Sequence, residues 1–330
     1  MEVPMSRFSL LLPLILGLCL IGCDAEQTLD RFVGPAPPQR AITAPPQRAA
    51  TVLPPSSAPM ASGDTIKVAS FNIQVFGISK LGKPQVMDVL AQVVRRFDVV
   101  AIQEIRSKDT TVLPRFVELI NADGRQYDYV IGPRLGRTSS KEQYAFIFDA
   151  TRIEYDRDSI RTVDDPDDLL HREPMVTTFR VRGLPTGEAF TFTLVNIHTD
   201  PDETDTELDA LDDVFASVQR NGEDDVILLG DLNVDEYHLG ELGMLPGITW
   251  AITGQMTNTR RTKAYDNIVF NRQATVEHTG ICGVFDMMAE FGLSMDEALK
   301  VSDHMPVWAE FSVRESTLVG PVAARPGNGR

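Results

Sequence analysis

Short apolar runs that end in polar residues recur along positions 64–313 of this chain. Val226–Leu229 is one of them, an unbroken run with the length and branching of a strand buried on both faces. It stops at Gly230, and Asp231 and Asn233 follow with one residue between them. Side chains two apart in an extended chain point to the same side. A carboxylate and an amide therefore emerge together where a core strand meets solvent. Gly, Asp and Asn also favour plain turns, so this junction alone decides nothing.

The remaining pattern predicts strands at Ile66–Phe76, Asp98–Glu104, Tyr127–Ile131, Tyr144–Phe148, Asp266–Phe270 and His304–Val313. Val176–Val181 and Ala189–Ile197 read as a hairpin across Gly183–Gly187 that runs straight into His198. Helical spacing covers Pro84–Phe97, with Pro at its first position, then Leu113–Ala122, the acidic Asp205–Arg220, and Met295–Lys300. Helices and strands alternate in the first half and strands dominate the second, which predicts packed sheets with helices outside.

The ends of the chain read differently. Arg7 precedes a short apolar stretch, Phe8–Ile21, and Gly22 precedes Cys23. The stretch is short for a membrane span and has the form of a secretory signal. Leu20-Ile21-Gly22-Cys23 resembles a bacterial lipoprotein signal in which Cys23 carries the lipid, so the expectation is a signal at 1–22 and an exported, membrane-anchored lipoprotein at the cell surface or in the periplasm. An ordinary signal peptide and a secreted product is the alternative. Residues 23–63 repeat Ala-Pro-Pro-Gln-Arg-Ala and read as an extended tether, and 314–330 as a disordered tail. The domain is then 64–313, read as monomeric, with Cys282 as its one cysteine and no internal disulfide to make. Cys282 is expected to be a buried structural thiol.

The formal net charge is −16, which argues against loose binding to nucleic acid through a basic face. It does not exclude a hydrolase whose divalent cations offset its carboxylates. Polar residues at strand ends give Asn72, Glu104, His198, Asp231, Asn233, Asp266, Asp303 and His304, and strand ends in layered α/β proteins commonly meet at one mouth. Each has a bland reading as a cap or turn, but together they suit phosphodiester hydrolysis. Glu104, Asn72 and Asp303 could hold a hard cation, Mg2+ or alternatively Mn2+. His304 with Asp266, and His198 with Glu142, could move protons to and from the reacting oxygens. His171, His238 and His278 are expected at the surface.

Eight strings carry a resemblance: Ser70–Ile73, Ile102–Arg106, Gly136–Tyr144, Arg172–Pro174, Asn196–His198, Gly230–Asn233, Ala264–Asp266 and Ser302–Pro306. In this order they resemble the endonuclease/exonuclease/phosphatase superfamily, and within it the deoxyribonuclease I-like branch. The resemblance implies a four-layer sandwich of two packed mixed β-sheets flanked by helices. It implies a metal at Asn72, Glu104 and Asp303, with Asp231 and Asn233 on the scissile phosphate or a second cation. It makes His198 and His304 the acid and base, in an order left open, oriented by Glu142 and Asp266. Arg172 would touch a phosphate, and Arg106 and Arg137 would enter the DNA minor groove. The implied activity is endonucleolytic cleavage of DNA with little sequence preference, leaving 5′-phosphate ends.

The chain departs from that branch in several places. Ser140 stands where a Tyr would stack on a sugar, a platform worth about 1–3 kcal/mol. The branch's disulfide loops are shortened or lost, with Glu236 and Lys263 at one pair of positions. Gln255–Thr262 lacks the acid of a calcium loop, while the acidic run 164–168 could still bind one structural Ca2+. A phospholipid or inositol-phosphate hydrolase of the same superfamily is the alternative, and a non-catalytic surface binding protein is a third reading. Gly136–Glu142, Arg106 and Arg172–Pro174 point to the nuclease branch.

Overall fold

The computed structural model describes residues 63–220 and 223–316. The expected signal, nearly all of the tether and the tail beyond Ser316 lie outside the described residues, so these expectations are not met by any structural observation. Among the described residues no helix is long and apolar enough to cross a membrane.

The chain first forms β1 (Thr65–Phe76), α1 (Ile78–Leu81), α2 (Pro84–Val94), β2 (Val99–Ile105), α3 (Val112–Ile120), β3 (Tyr127–Ile131) and β4 (Gln143–Asp149). It continues through β5 (Ile153–Tyr155), β6 (Arg161–Thr162), β7 (Met175–Val181), β8 (Thr191–His198), α4 (Thr204–Arg220) and β9 (Val226–Asp231). It ends with β10 (Ile248–Trp250), β11 (Asp266–Asn271), β12 (His278–Val284), α5 (Met287–Phe291), α6 (Met295–Val301) and β13 (Val307–Ser312). The first sheet has the order β12-β13-β1-β2-β4-β3, and the second β10-β11-β9-β8-β7-β5 with β6 on β7. Each sheet is built around one parallel pair, β1/β2 and β8/β9, with antiparallel strands outside. A parallel pair needs a crossover, and α2 and α4 supply it.

Burial on both faces explains the near-continuous apolar runs of β1, β2 and β9. Ile66 and Val68 of β1 join an inter-sheet core with Phe146, Phe179, Phe192 and Phe311. Ala69, Phe71 and Ile73 face the other way, onto α2 and α3. Val226 and Leu228 of β9 pack under α4 against Leu208, Leu211 and Phe215. The layers run helix, sheet, sheet, helix, as expected.

Several boundaries differ. The helix expected to reach Phe97 stops at Val94, because Arg96 and Phe97 turn back on the carbonyls of Val93 and Val94 to feed β2. The last strand begins at Val307, not His304. Pro306 cannot donate to a ladder, and Met305 N and Asp303 O pair instead with the 257–259 loop. The edge strands β10 and β12 were absent from the pattern, since β12 is polar and kinked at Gly280 (φ 83°) with a register shift.

Two of the three histidines expected at the surface are not there. His171 is 9% exposed with its Nδ1 3.4 Å from Asp200. His278 sits in β12 beside the Phe270 ring, at 4.9 Å between centroids. His238 is exposed, its Nδ1 2.6 Å from Asp235. Cys282 is half-buried rather than buried, with Sγ donating to Ala251 O at 3.0 Å.

Candidate active site

The C-terminal ends of β1, β2, β8 and β9 lie together, and each sheds a polar side chain into the same space. Gly230 makes this approach possible. A β-carbon there would lie 1.8 Å from Ile197 O, so β8 and β9 could not pair in register with any larger residue. Glu104 and Val75 both adopt left-handed backbone, at φ 61° and 50°, where the β1/β2 ladder bulges. The bulge swings the Glu104 carboxylate inward, where Oε2 accepts Val75 N at 2.8 Å and Oε1 accepts Asn72 Nδ2 at 3.3 Å.

Asp231 Oδ2 is the hub. It lies 2.9 Å from Asn72 Nδ2, 3.5 Å from His198 Nε2 and 3.4 Å from His304 Nε2. The far nitrogen of each imidazole is held by its own carboxylate, His198 Nδ1 at 3.3 Å from Glu142 and His304 Nδ1 at 2.9 Å from Asp266. Each dyad crosses between the sheets. His198 ends β8 of the second sheet and meets Glu142 just before β4 of the first. His304, ahead of β13 of the first sheet, meets Asp266 at the start of β11 of the second.

The surroundings set the charge states. Burial works to lower the His304 imidazole, but Asp266 and Asp231, then Asp303, hold it well above the ordinary range. His198 is also raised, burial being outweighed by Asp231 and Glu142. Burial pushes the Glu142 carboxyl up, yet His198, Arg172 and Arg106 outweigh it and keep it below the usual range. Asp231, Asp266 and His304 have donor atoms within 4.8 Å of one another. Asp266 Oδ2 is already shared by His304 and the Thr257 hydroxyl at 2.6 Å.

Glu104, Asn72 and Asp303 fit a hard cation. Asn72 Oδ1 and Asp303 Oδ1 are buried oxygen acceptors without a hydrogen-bond partner among the described residues, and both belong to a set of oxygen donors. Gln74 Nε2 holds the other Asp303 oxygen at 2.9 Å. Asn233 (φ 54°) donates its side chain to Thr199 O at 2.9 Å and its backbone N to Asp231 Oδ1 at 3.1 Å.

The arginines are placed differently from one another. Arg172, 5% exposed, sits behind the dyad with Nε 2.8 Å from Glu142 and 2.9 Å from His198 O. Arg106 Nε lies 3.2 Å from Glu104, and its Nη1 donates to Ser140 Oγ at 3.2 Å, so this arginine lies over the mouth. Arg137 is farther out, paired with Asp168 at 3.1 Å and with Glu203.

Other contributors lie just behind these residues. Lys80 is 6% exposed and donates to Gln74 O and Val301 O at 2.5 and 2.7 Å, and burial lowers its amine to about 8 despite Asp303 and Glu104 nearby. Gln103 donates to Asn196 Oδ1 at 2.7 Å, a buried polar link between the sheets just below the mouth. In the run expected to hold a calcium ion, two of the four aspartates are engaged within the protein. In the run 164–168, Asp165 accepts Leu169 N and Leu170 N, and Asp168 holds Arg137. In 255–262, Asn258 Oδ1 accepts Thr262 N and Lys263 N.

Residues 69–304 match the model of the Endonuclease/Exonuclease/phosphatase family. The chain belongs to that family. Its relatives include deoxyribonuclease gamma of Rattus norvegicus, 33% identical over 76% of this chain and 86% of the relative. Deoxyribonuclease-1-like 1 of Homo sapiens is 31% identical over 80% of this chain and 90% of the relative. Among solved structures, D. rerio TDP2 complexed with single strand DNA product superposes with a TM-score of 0.54 at 14% identity, covering 76% of this chain and all of that one. That likeness is one of fold. The family accounts for the sandwich, and the relatives named here are deoxyribonucleases.

Proposed function

We propose that this protein is a metal-dependent endodeoxyribonuclease that hydrolyses DNA with little base selectivity, leaving 5′-phosphate and 3′-hydroxyl ends. The observation that carries the reading is the convergence of two histidine–carboxylate dyads on Asp231, beside three oxygen donors suited to a cation. The similarity to deoxyribonucleases supports DNA as substrate. Mg2+ at Glu104, Asn72 and Asp303 would supply stabilisation for the charge that builds on the phosphate oxygens.

The chain's own residues do the rest. One imidazole takes the proton of the attacking water as the oxygen–phosphorus bond forms. The other gives a proton to the departing 3′-oxygen as its bond to phosphorus breaks. Glu142 and Asp266 fix the ring orientation and stabilise each imidazolium. Asn72 donates to the Asp231 hub, and Asn233 beside it would meet the phosphate. Arg106 and Arg137 offer cationic faces to the backbone on an otherwise acidic protein. We further propose an exported protein tethered through lipidated Cys23, because a signal-like apolar stretch and a Pro-rich segment precede the domain.

The test is nicking of supercoiled plasmid in Mg2+, in EDTA, and by His304→Ala. Metal-dependent open circles, abolished by EDTA and by the substitution, are expected. A folded protein that leaves plasmid intact with Mg2+ and with Mn2+ would sink the reading.

A further inference from the structure

We propose that Asp225, Glu277 and Glu315 form a calcium site at the end of the sandwich opposite the candidate active site. Asp225 immediately precedes β9 and Asp231 ends it, so the two lie roughly 20 Å apart at the usual rise per residue. Glu277 comes from the turn between β11 and β12, and Glu315 from the segment after β13. One carboxylate oxygen from each of the three lies within 4.8 Å of the others.

An acidic cluster is common without an ion, and three further observations point to a ligand here. Asp225 and Glu277 are only 1% and 2% exposed, and their Oδ1 and Oε2 are buried with no hydrogen-bond partner among the described residues. The Thr275 side chain, 1% exposed, faces Asp225, yet among the described residues its hydroxyl forms no hydrogen bond of normal geometry. The charges that bear most on Asp225 are themselves carboxylates, Glu277, Glu315 and Asp224. Uncompensated buried carboxylates are costly and must be paired, protonated or bound to a metal. In agreement, burial together with Glu277 and Glu315 pushes the Asp225 carboxyl up to about 9 without an ion, and burial raises Glu223 beside it to about 7.

The remaining contacts orient the cluster. Glu277 Oε1 accepts Ser316 N at 2.7 Å, which leaves Oε2 for the ion. Glu315 Oε2 accepts Thr191 N at 3.2 Å. Carboxylates from three separate segments with loose spacing suit Ca2+, which takes six to eight oxygens in flexible geometry, better than Mg2+ with its strict octahedron. The ion would fasten the entry to β9, the β11–β12 turn and the chain after β13 to one point. This site is independent of the catalytic reading.

The experiment is calorimetric titration of the EGTA-stripped full-length protein with calcium chloride, beside Glu277→Gln, Glu315→Gln and Glu104→Gln. The wild type is expected to bind one Ca2+ more than either distal variant, and Glu104→Gln to keep the ion that those variants lose. Calcium at about 100 times its Kd should raise the wild-type Tm by about 5 °C or more, and that rise should vanish in the distal variants. Should Glu277→Gln fail to fold, the half-buried Glu315 variant decides. Equal calcium uptake and equal Tm response in wild type and a distal variant would overturn the site. So would a wild type whose Tm ignores calcium at pH 8, which would mark the cluster as one that shares protons.

Discussion

At the scale of single residues, the site depends on side chains that hold other side chains. Thr257 donates to the same Asp266 oxygen that receives His304, and its hydroxyl in turn accepts Tyr265 N and Asp266 N. Replacing it with Val should lower kcat about tenfold with little change in KM, since a hydrogen bond to a charged group is worth about 1.5–3 kcal/mol. Steady-state cleavage of a short duplex separates the two constants. His198→Ala and His304→Ala should each cost about 100-fold or more, and the double variant far less than the product of both. The two histidines and four carboxylates were legible because each borders an apolar run. Gln74 and Lys80 were not, since they reach Asp303 and Val301 across the whole chain, and neither was Thr257, which meets Asp266 from a loop without a period. Arg172 was legible as part of a motif, but its burial behind Glu142 was not.

The strands and helices aim these residues. β8 and β9 pair closely only because Gly230 has no side chain, so Gly230→Ala should destabilise by about 3 kcal/mol or more and abolish nicking. Urea unfolding measures the first effect, and the plasmid assay the second. Helix α4 shows its own constraint. Glu207 in its first turn is buried and accepts the backbone N–H of His171 at 2.7 Å and of Asp200 at 3.0 Å. Glu207→Ala leaves one buried and one partly buried donor unpaired and should cost about 2–4 kcal/mol in the same urea experiment. The helix itself could be read from Leu208, Leu211, Phe215 and Val218, whose spacing fits one buried face. Short edge strands such as β10 could not, because three residues on a sheet rim carry no period.

Taken whole, the molecule carries its charge problem at both ends of β9. Asp225 has a folded-state pKa of about 9, above the ordinary 3.8, because burial and the facing Glu277, Glu315 and Asp224 disfavour its charged form. A raised carboxyl keeps its proton longer in the folded state, so the stability of EGTA-treated protein should fall as pH rises from about 4 to about 9. Thermal melts across that range, beside Asp225→Asn, check the sign, and the variant should show the flatter curve.

The two dyads that cross between the sheets carry a further consequence. Each imidazole hangs from one sheet and is steadied by the other, and the two do so in opposite senses. Sliding one sheet along its neighbour therefore cannot be absorbed by a single pair, because both lose alignment together. Phe190, beside the opposite end of β8 from His198, stacks on Phe192 and Phe311 in the inter-sheet core. Trimming it to Ala should cost about 3–5 kcal/mol and also slow turnover in the fraction that stays folded. The reactive centre behaves as a vernier for the sandwich, and a chain can fall silent through a misregistered core while every group that touches the phosphate remains in place.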